Sequence, residues 1–353
     1  MTNENDYSTT NNHPKLTPIS KLGEFGLIDH LTRNFQLRHA SSMKGVGDDA
    51  AVIDNRGKLT VVTTDMLVEG IHFDFMYTPL LYLGYKSVVV NLSDIYAMNA
   101  TPKQITVSIA ISSRFTVEAM EEFYTGIEKA CNFYGVDLVG GDTTTSNKGM
   151  IISVTAIGEA DEEELVYRNT AKESDYICVT GDLGAAYLGL QILEREKRLY
   201  LEDPNIQPEI ESHNYLIGRQ LKPEARSDMI EILRDLNIKP TSMIDISDGL
   251  SSEILHLCKQ SKVGCRLFEE NIPMHPDSVE AAQMFNISPI TAALNGGEDY
   301  ELLFTVSPDD IEKLGGIHGI SIIGRITQLQ EGTKLYTGSG QSHQLIAQGW
   351  QHL

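Results

Sequence analysis

The groups in this chain best suited to chemistry are aspartates at the ends of strand-like runs, each beside glycine, serine or threonine. Asp48 and Asp49 sit in Gly-Val-Gly-Asp-Asp-Ala, Asp65 in Thr-Thr-Asp and Asp94 in Asn-Leu-Ser-Asp; Asp142 sits in Gly-Gly-Asp-Thr, and Asp245 and Asp248 in Asp-Ile-Ser-Asp-Gly. Carboxylate oxygens suit hard cations such as Mg²⁺, which keeps several waters and takes one or two carboxylates together with substrate phosphates. No glycine-rich loop carries the usual phosphate-binding lysine. The pattern points to a metal-dependent enzyme that handles phosphate.

Each motif has a plainer reading beside it. Gly45 to Ala50 superficially fits the dinucleotide glycine fingerprint, but two aspartates at that spot would oppose a pyrophosphate. Metal ligation or a solvated acidic turn is left. In Asp245-Ile-Ser-Asp248-Gly249 the glycine falls one position early for a calcium loop, and oxygen ligands do not follow at alternate positions. Two readings remain open: Ser247 or Asp248 caps a helix over 249–259, or Asp245 and Asp248 bind metal at a strand–helix corner. Thr63 and Thr64 are ordinary strand residues or oxygen ligands. His72 is structural or ligand-facing. Arg168 offers a fork of donors suited to phosphate, or a surface ion pair. Glu298 follows a glycine pair like the one before Asp142, which suggests another ligand-facing corner. Trp350, the only tryptophan, is hydrophobic packing or a stacking face for an aromatic ligand.

Charge narrows the class. Against 28 Lys+Arg stand 49 Asp+Glu, a formal −21, which repels a nucleic-acid backbone and an anionic membrane. Phosphorylated substrates would be repelled too unless bound cations invert the local field. Cys131, Cys178, Cys258 and Cys265 stand singly in apolar surroundings and are expected to be buried free thiols. The first twenty residues lack the apolar core of a signal peptide, and no apolar run approaches the ~18 residues of a membrane span. A soluble, cytoplasmic protein is expected.

The elements that must position these residues alternate between strand and helix. At 353 residues two domains are expected, here 21–160 and 161–353 after a polar tail over 1–20. The β-branched run 59–64 predicts a strand ending at Asp65, and 105–111 a second. Residues 81–97 read as a helix with Asp94 near its C-terminal part. Thr116 caps and Gly135 ends a helix between them. Strands over 136–139 and 150–157 flank Gly140-Gly141-Asp142-Thr143, read as a turn open to a ligand. Past an acidic boundary near 158–165, a strand over 175–180 leads into a helix over 185–193. Residues 196–216 read as a surface excursion. The fold class is α/β (α+β), with a mixed sheet and helices first and an α/β domain after it.

These motifs closely resemble thiamine-monophosphate kinase, within the superfamily of aminoimidazole ribonucleotide synthetase. The resemblance runs from Gly23-Glu-Phe-Gly-Leu-Ile28 through Gly47-Asp-Asp-Ala-Ala51, Thr63-Thr-Asp65, Gly70-Ile-His-Phe73, Leu92-Ser-Asp94, Gly140-Gly-Asp-Thr143 and Ile244-Asp-Ile-Ser-Asp-Gly249 to Gly296-Gly-Glu-Asp-Tyr-Glu-Leu302. Gly-Ile-His-Phe and Gly-Gly-Glu-Asp-Tyr-Glu-Leu carry it to the kinase rather than to the superfamily at large. It implies ATP-dependent phosphorylation of thiamine monophosphate to thiamine diphosphate, with several Mg²⁺ ions and a homodimer. Asp48, Thr63, Thr64, Asp65, Asp94, Asp142, Asp245 and Asp248 are then implied metal ligands. Gly141, Asp142, Arg168 and Ser247 are implied ATP contacts, and His72, Glu298 and Trp350 substrate contacts. Asp65, Asp94, Asp142, Arg168 and Asp248 are implied to carry the catalytic roles. Residues 196–216 are longer than the usual connector, and Tyr96 and Asn99 replace small residues. A sibling synthetase is one alternative, although no N- or C-terminal reactive cysteine is present. A non-catalytic acidic metal-binding protein is the other.

Overall fold

A computed structural model of the chain describes residues 30–44, 52–54 and 57–347, with Thr17, Lys21, Leu22 and Leu27. Asp48, Asp49, Trp350 and most of the 23–28 motif lie outside the described residues.

The first sheet holds four strands: β3 (Leu59–Val68), β4 (Thr101–Ile111), β5 (Asp137–Thr145) and β6 (Ile151–Ala160), in the order β3-β6-β4-β5. A short ribbon, β1 (Ser42–Lys44) with β2 (Val52–Ile53), precedes it. Only the β4–β5 pair is parallel, and its crossover is the helix α2 (Val117–Tyr134), as a parallel pair requires. Burial alternates residue by residue along β6, so the sheet presents one face to the core. On that face lies α1 (Leu80–Ala97), buried over most of its length. It crosses α2 so closely that a Cβ on Gly84 would overlap the Phe123 carbonyl oxygen, and one on Gly126 that of Leu81. Glycine at both positions lets the backbones touch.

The second sheet has seven strands: β7 (Tyr176–Thr180), β8 (Ser242–Asp245), β9 (Gly264–Phe268), β10 (Leu302–Val306), β11 (Ile320–Thr327), β12 (Thr333–Tyr336) and β13 (Ser342–Gln344). Their order is β13-β12-β9-β11-β7-β10-β8, antiparallel except for β12 against β9. The helices α3 (Ala185–Glu202), α4 (Asn214–Leu221), α5 (Ser227–Asp235), α6 (Leu250–Ser261), α7 (Pro276–Met284) and α8 (Pro289–Asn295) complete it. The mixed α/β class is as expected. The sheets divide between β6 and β7, yet one apolar cluster joins Ile95 and Val154 to Met243 and Phe304.

Several local expectations hold. The Thr116 side chain accepts from Ala119 N, and Gly135 ends α2 at φ 67°. All four cysteines are buried and free. Others need correction. The strand over 59–64 continues to Val68, because each of its residues pairs with β6. Gly140-Gly141-Asp142-Thr143 is no turn: it lies inside β5, paired with β4. A Cβ on Gly141 would overlap the Val107 carbonyl oxygen, so this glycine serves strand pairing. The helix over 185–193 runs on to Glu202, which makes the first third of the 196–216 excursion helical. Glu196 there is buried, paired with Arg195 and accepting from Glu209 N at 2.9 Å.

Candidate active site

Between the end of β3, the middle of α1 and the β8–α6 corner lies a cavity of about 830 Å³. Asp65, His72, Asp94, Asp245, Ser247, Asp248 and Glu298 all line it. Asp65 and Asp245 come from strands of the two sheets, Asp94 from α1 and the rest from connecting segments, and α1 is the element that brings them together.

Asp65 stands on the inner face of β3, and its backbone N–H donates to Asn91 Oδ1 on α1 at 3.0 Å. Asp94 lies one turn beyond Asn91 on that helix face and accepts from the Thr63 hydroxyl at 2.6 Å. Period-two alternation turns Thr64 to the opposite face, where its hydroxyl donates to the Val154 carbonyl. Thr63 thus reaches the carboxylates and the Thr64 hydroxyl does not. On the far side of α1, Ser93 Oγ donates to Asp245 Oδ2 at 2.7 Å. The capping reading of Ser247 and Asp248 fails: Gly249 occupies the cap position before Leu250, and no side chain caps α6. Glu253 accepts from Asp248 N instead.

The electrostatics are those of crowded acids. Burial, then Asp94, pushes the Asp65 carboxyl up to about 6. Burial also raises Asp94, against the pull of Thr63 and Arg168. Asp245 is pushed up to about 7 by burial, then by Asp94 and Asp65. Among the described residues none of the three makes an ion pair. Buried carboxylates without a cation are costly, and an all-oxygen donor set fits a hard divalent ion. Among the described residues no group of three or more His, Cys, Asp or Glu side chains is placed to hold a metal ion by itself. An open site finished by water and phosphate oxygens is the arrangement that Mg²⁺ takes.

Other expected residues lie elsewhere. Gly141 and Asp142 are exposed on the edge strand β5. Arg168 is exposed in the loop before β7, outside the cavity lining, though its charge is felt by Asp94 and Asp245. His72 accepts from Val68 N through Nδ1 at 3.1 Å.

The glycine pair before Glu298 does mark a special corner. Gly297, Glu298 and Tyr300 have φ of 72°, 59° and 52°, and Glu298 N donates to Ser247 O at 2.6 Å. Non-glycine residues held at positive φ store strain, a feature that clusters at functional sites. The motif's other acids are structural. Asp299 accepts from Gly184 N and Ala186 N at the start of α3. Glu301, fully buried, holds Arg219 at 2.9 Å and Arg226 at 2.6 Å.

Sequence reasoning missed Lys86, Gln220, and a clasp at the cavity's end. In that clasp Lys197 pairs with Asp74 at 2.8 Å and Tyr77 donates to Glu194 at 2.7 Å. Only the fold joins such partners, although a lysine inside the apolar run of α1 was a visible signal.

Residues 47–160 match the family described as AIR synthase related protein, N-terminal domain. The thiamine-monophosphate kinase of Bacillus subtilis is 35% identical over 83% of this chain and 86% of its own length. That of Aquifex aeolicus is 33% identical over 95% and 99%. The chain belongs to the thiamine-monophosphate kinase family. Among solved structures similar to this family member, AaThiL complexed with AMPPCP and TMP is 32% identical, with a TM-score of 0.73, covering 95% of this chain and 98% of that one. The enzyme from Stenotrophomonas maltophilia gives 0.76 at 29% identity, covering 91% and 98%. Hydrogenase maturation protein HypE, at 19% identity and a TM-score of 0.70 over 91% and 94%, shares the fold.

Proposed function

We propose that this chain transfers the terminal phosphate of ATP to the phosphate of thiamine monophosphate, giving thiamine diphosphate. The observation that carries this reading is the convergence of Asp65, Asp94 and Asp245 on one cavity that Glu298 also lines, in a chain of this family. A relative solved with AMPPCP and TMP supports the substrate pair.

Donor and acceptor are both anions, so the site must first cancel their repulsion. Asp65, Asp94, Asp245 and Asp248 would hold Mg²⁺, with Thr63 fixing Asp94; Asp48 and Asp142 complete the proposed set. When bound, the metal neutralises phosphate charge and aligns the two groups. Gly141, Asp142, Arg168 and Ser247 are the proposed ATP contacts, and His72, Glu298 and Trp350 the acceptor contacts. A phosphate oxygen of thiamine monophosphate is largely ionised near neutral pH, so no general base is needed and transfer is direct and in line. Burial of all four cysteines supports a route without a thiol nucleophile. In this reading the enzyme is a cytoplasmic homodimer divided at 160/161, the first part binding ATP and metal.

The test is chromatographic measurement of thiamine diphosphate from ATP and thiamine monophosphate, with and without Mg²⁺. Magnesium-dependent product is expected. ATP binding without product would favour a sibling synthetase, and neither would favour an acidic metal-binding protein. Label retained on the enzyme from γ-labelled ATP without acceptor would overturn direct transfer.

A further inference from the structure

Lys86 is a buried lysine in the middle of α1, only 4% exposed. A buried ammonium persists only when paired, and its partners define its task. Nζ donates to the Gln220 carbonyl at 2.9 Å and to Glu298 Oε2 at 3.0 Å. The same Oε2 accepts from Gln220 Nε2 at 2.6 Å. Two donors from two helices, one in each half of the chain, therefore converge on one carboxylate oxygen. Glu298 keeps 27% side-chain exposure on the cavity wall, and among the described residues its Oε1 makes no hydrogen bond. Its backbone is fixed as well, at φ 59° with N–H on Ser247 O. Main chain and one oxygen are thus both held before any ligand arrives, which is how a binding group avoids an ordering cost.

We infer that Lys86, with Gln220, is a positioning residue for the acceptor: it fixes Oε2 of Glu298 so that Oε1 is presented to the cavity. This rests on the reading of Glu298 as an acceptor contact. A carboxylate held this way suits the cationic ring system of thiamine monophosphate and offers nothing to the phosphates of ATP. Lys86 touches neither substrate. Its ammonium holds the Glu298 carboxylate in one rotamer.

The test is steady-state kinetics of Lys86→Met, Glu298→Gln and the double variant, each with Mg²⁺, ATP and thiamine monophosphate. Lys86→Met is expected to raise the KM for thiamine monophosphate roughly tenfold to a hundredfold, the range for losing a hydrogen bond to a charged group, with the KM for ATP within about twofold. In the Glu298→Gln background the same change should cost little more, because a residue that acts through another is not additive with it. Lys86→Arg should recover part of the loss. Equal increases in both KM values, additive losses in the cycle, or an unchanged acceptor KM would each overturn the inference. Should Lys86→Met fail to fold, Gln220→Met removes the other donor and must show the same split; failure of both to fold would make the trio structural and also overturn it. Absence of turnover in the unmodified protein would count against the proposed reaction instead.

Discussion

Ser93 Oγ on α1 donates to Asp245 Oδ2 on β8 at 2.7 Å, tying the helix of the first sheet to an edge strand of the second. Asp245 is almost fully buried, so this hydroxyl is its main compensation, and it stabilises the ionised carboxylate. Ser93→Ala is expected to lower the stability of the metal-free protein by about 1–3 kcal/mol. The loss should be larger at pH 8 than at pH 5, since only ionised Asp245 requires the donor. Denaturant unfolding at the two pH values checks this; equal losses would mean that the serine is packing only.

Asp65→Asn and Asp94→Asn should lower turnover by roughly two to three orders of magnitude while leaving the metal-free protein as stable or more stable. The sign follows from the Asp65 carboxyl, raised from 3.8 to about 6. The folded chain binds that proton more tightly than the unfolded chain, so ionisation removes stability as pH rises across this window, and acidification restores it. Asp65→Asn should flatten that gain. Thermal unfolding without metal across the same window measures it, and a steep loss of stability in both variants would make them structural.

Acids three residues apart in Gly-Gly-Glu-Asp-Tyr-Glu should behave differently. Glu301→Gln leaves Arg219 and Arg226 without their buried partner, a loss of about 3–5 kcal/mol. Glu298→Gln removes the ion partner of Lys86 from a partly exposed carboxylate that Gln220 also holds, so it should cost less stability than Glu301→Gln while weakening the acceptor. Melting curves of the two variants separate the roles.

Gly84→Ala places a methyl group on the Phe123 carbonyl oxygen. Forcing α1 away from α2 should cost about 1–3 kcal/mol or more, and because α1 carries Asn91, Asp94 and Lys86, turnover should fall with it. Unfolding and activity of the same preparation test the coupling.

Much of the site was legible because its chemistry is local. Carboxylates beside glycine or hydroxyl residues picked out Asp65, Asp94 and Asp245 from short stretches, although only Asp245 ends a strand, and Thr116 with Gly135 bounded α2 by capping rules that need no tertiary context. Gly141 misled because a glycine forced by a neighbouring strand looks the same in sequence as one forced by a turn. Glu301 and Glu298 are alike in sequence, yet the first is fully buried and the second keeps part of its side chain open to the cavity.

The sequence by itself determined the class of chemistry, since charge and residue type decide which ions and substrates the chain tolerates, and periodicity located the four strands and two helices of the first sheet but few elements of the second. Only the tertiary structure decided which carboxylates share a cavity. Asp65, Asp94 and Asp245 meet because α1 is buried between two sheets, and Lys86 reaches Glu298 across 212 positions of the chain. Contacts at such separation are fixed by the packing of whole elements, and no short stretch of residues encodes them.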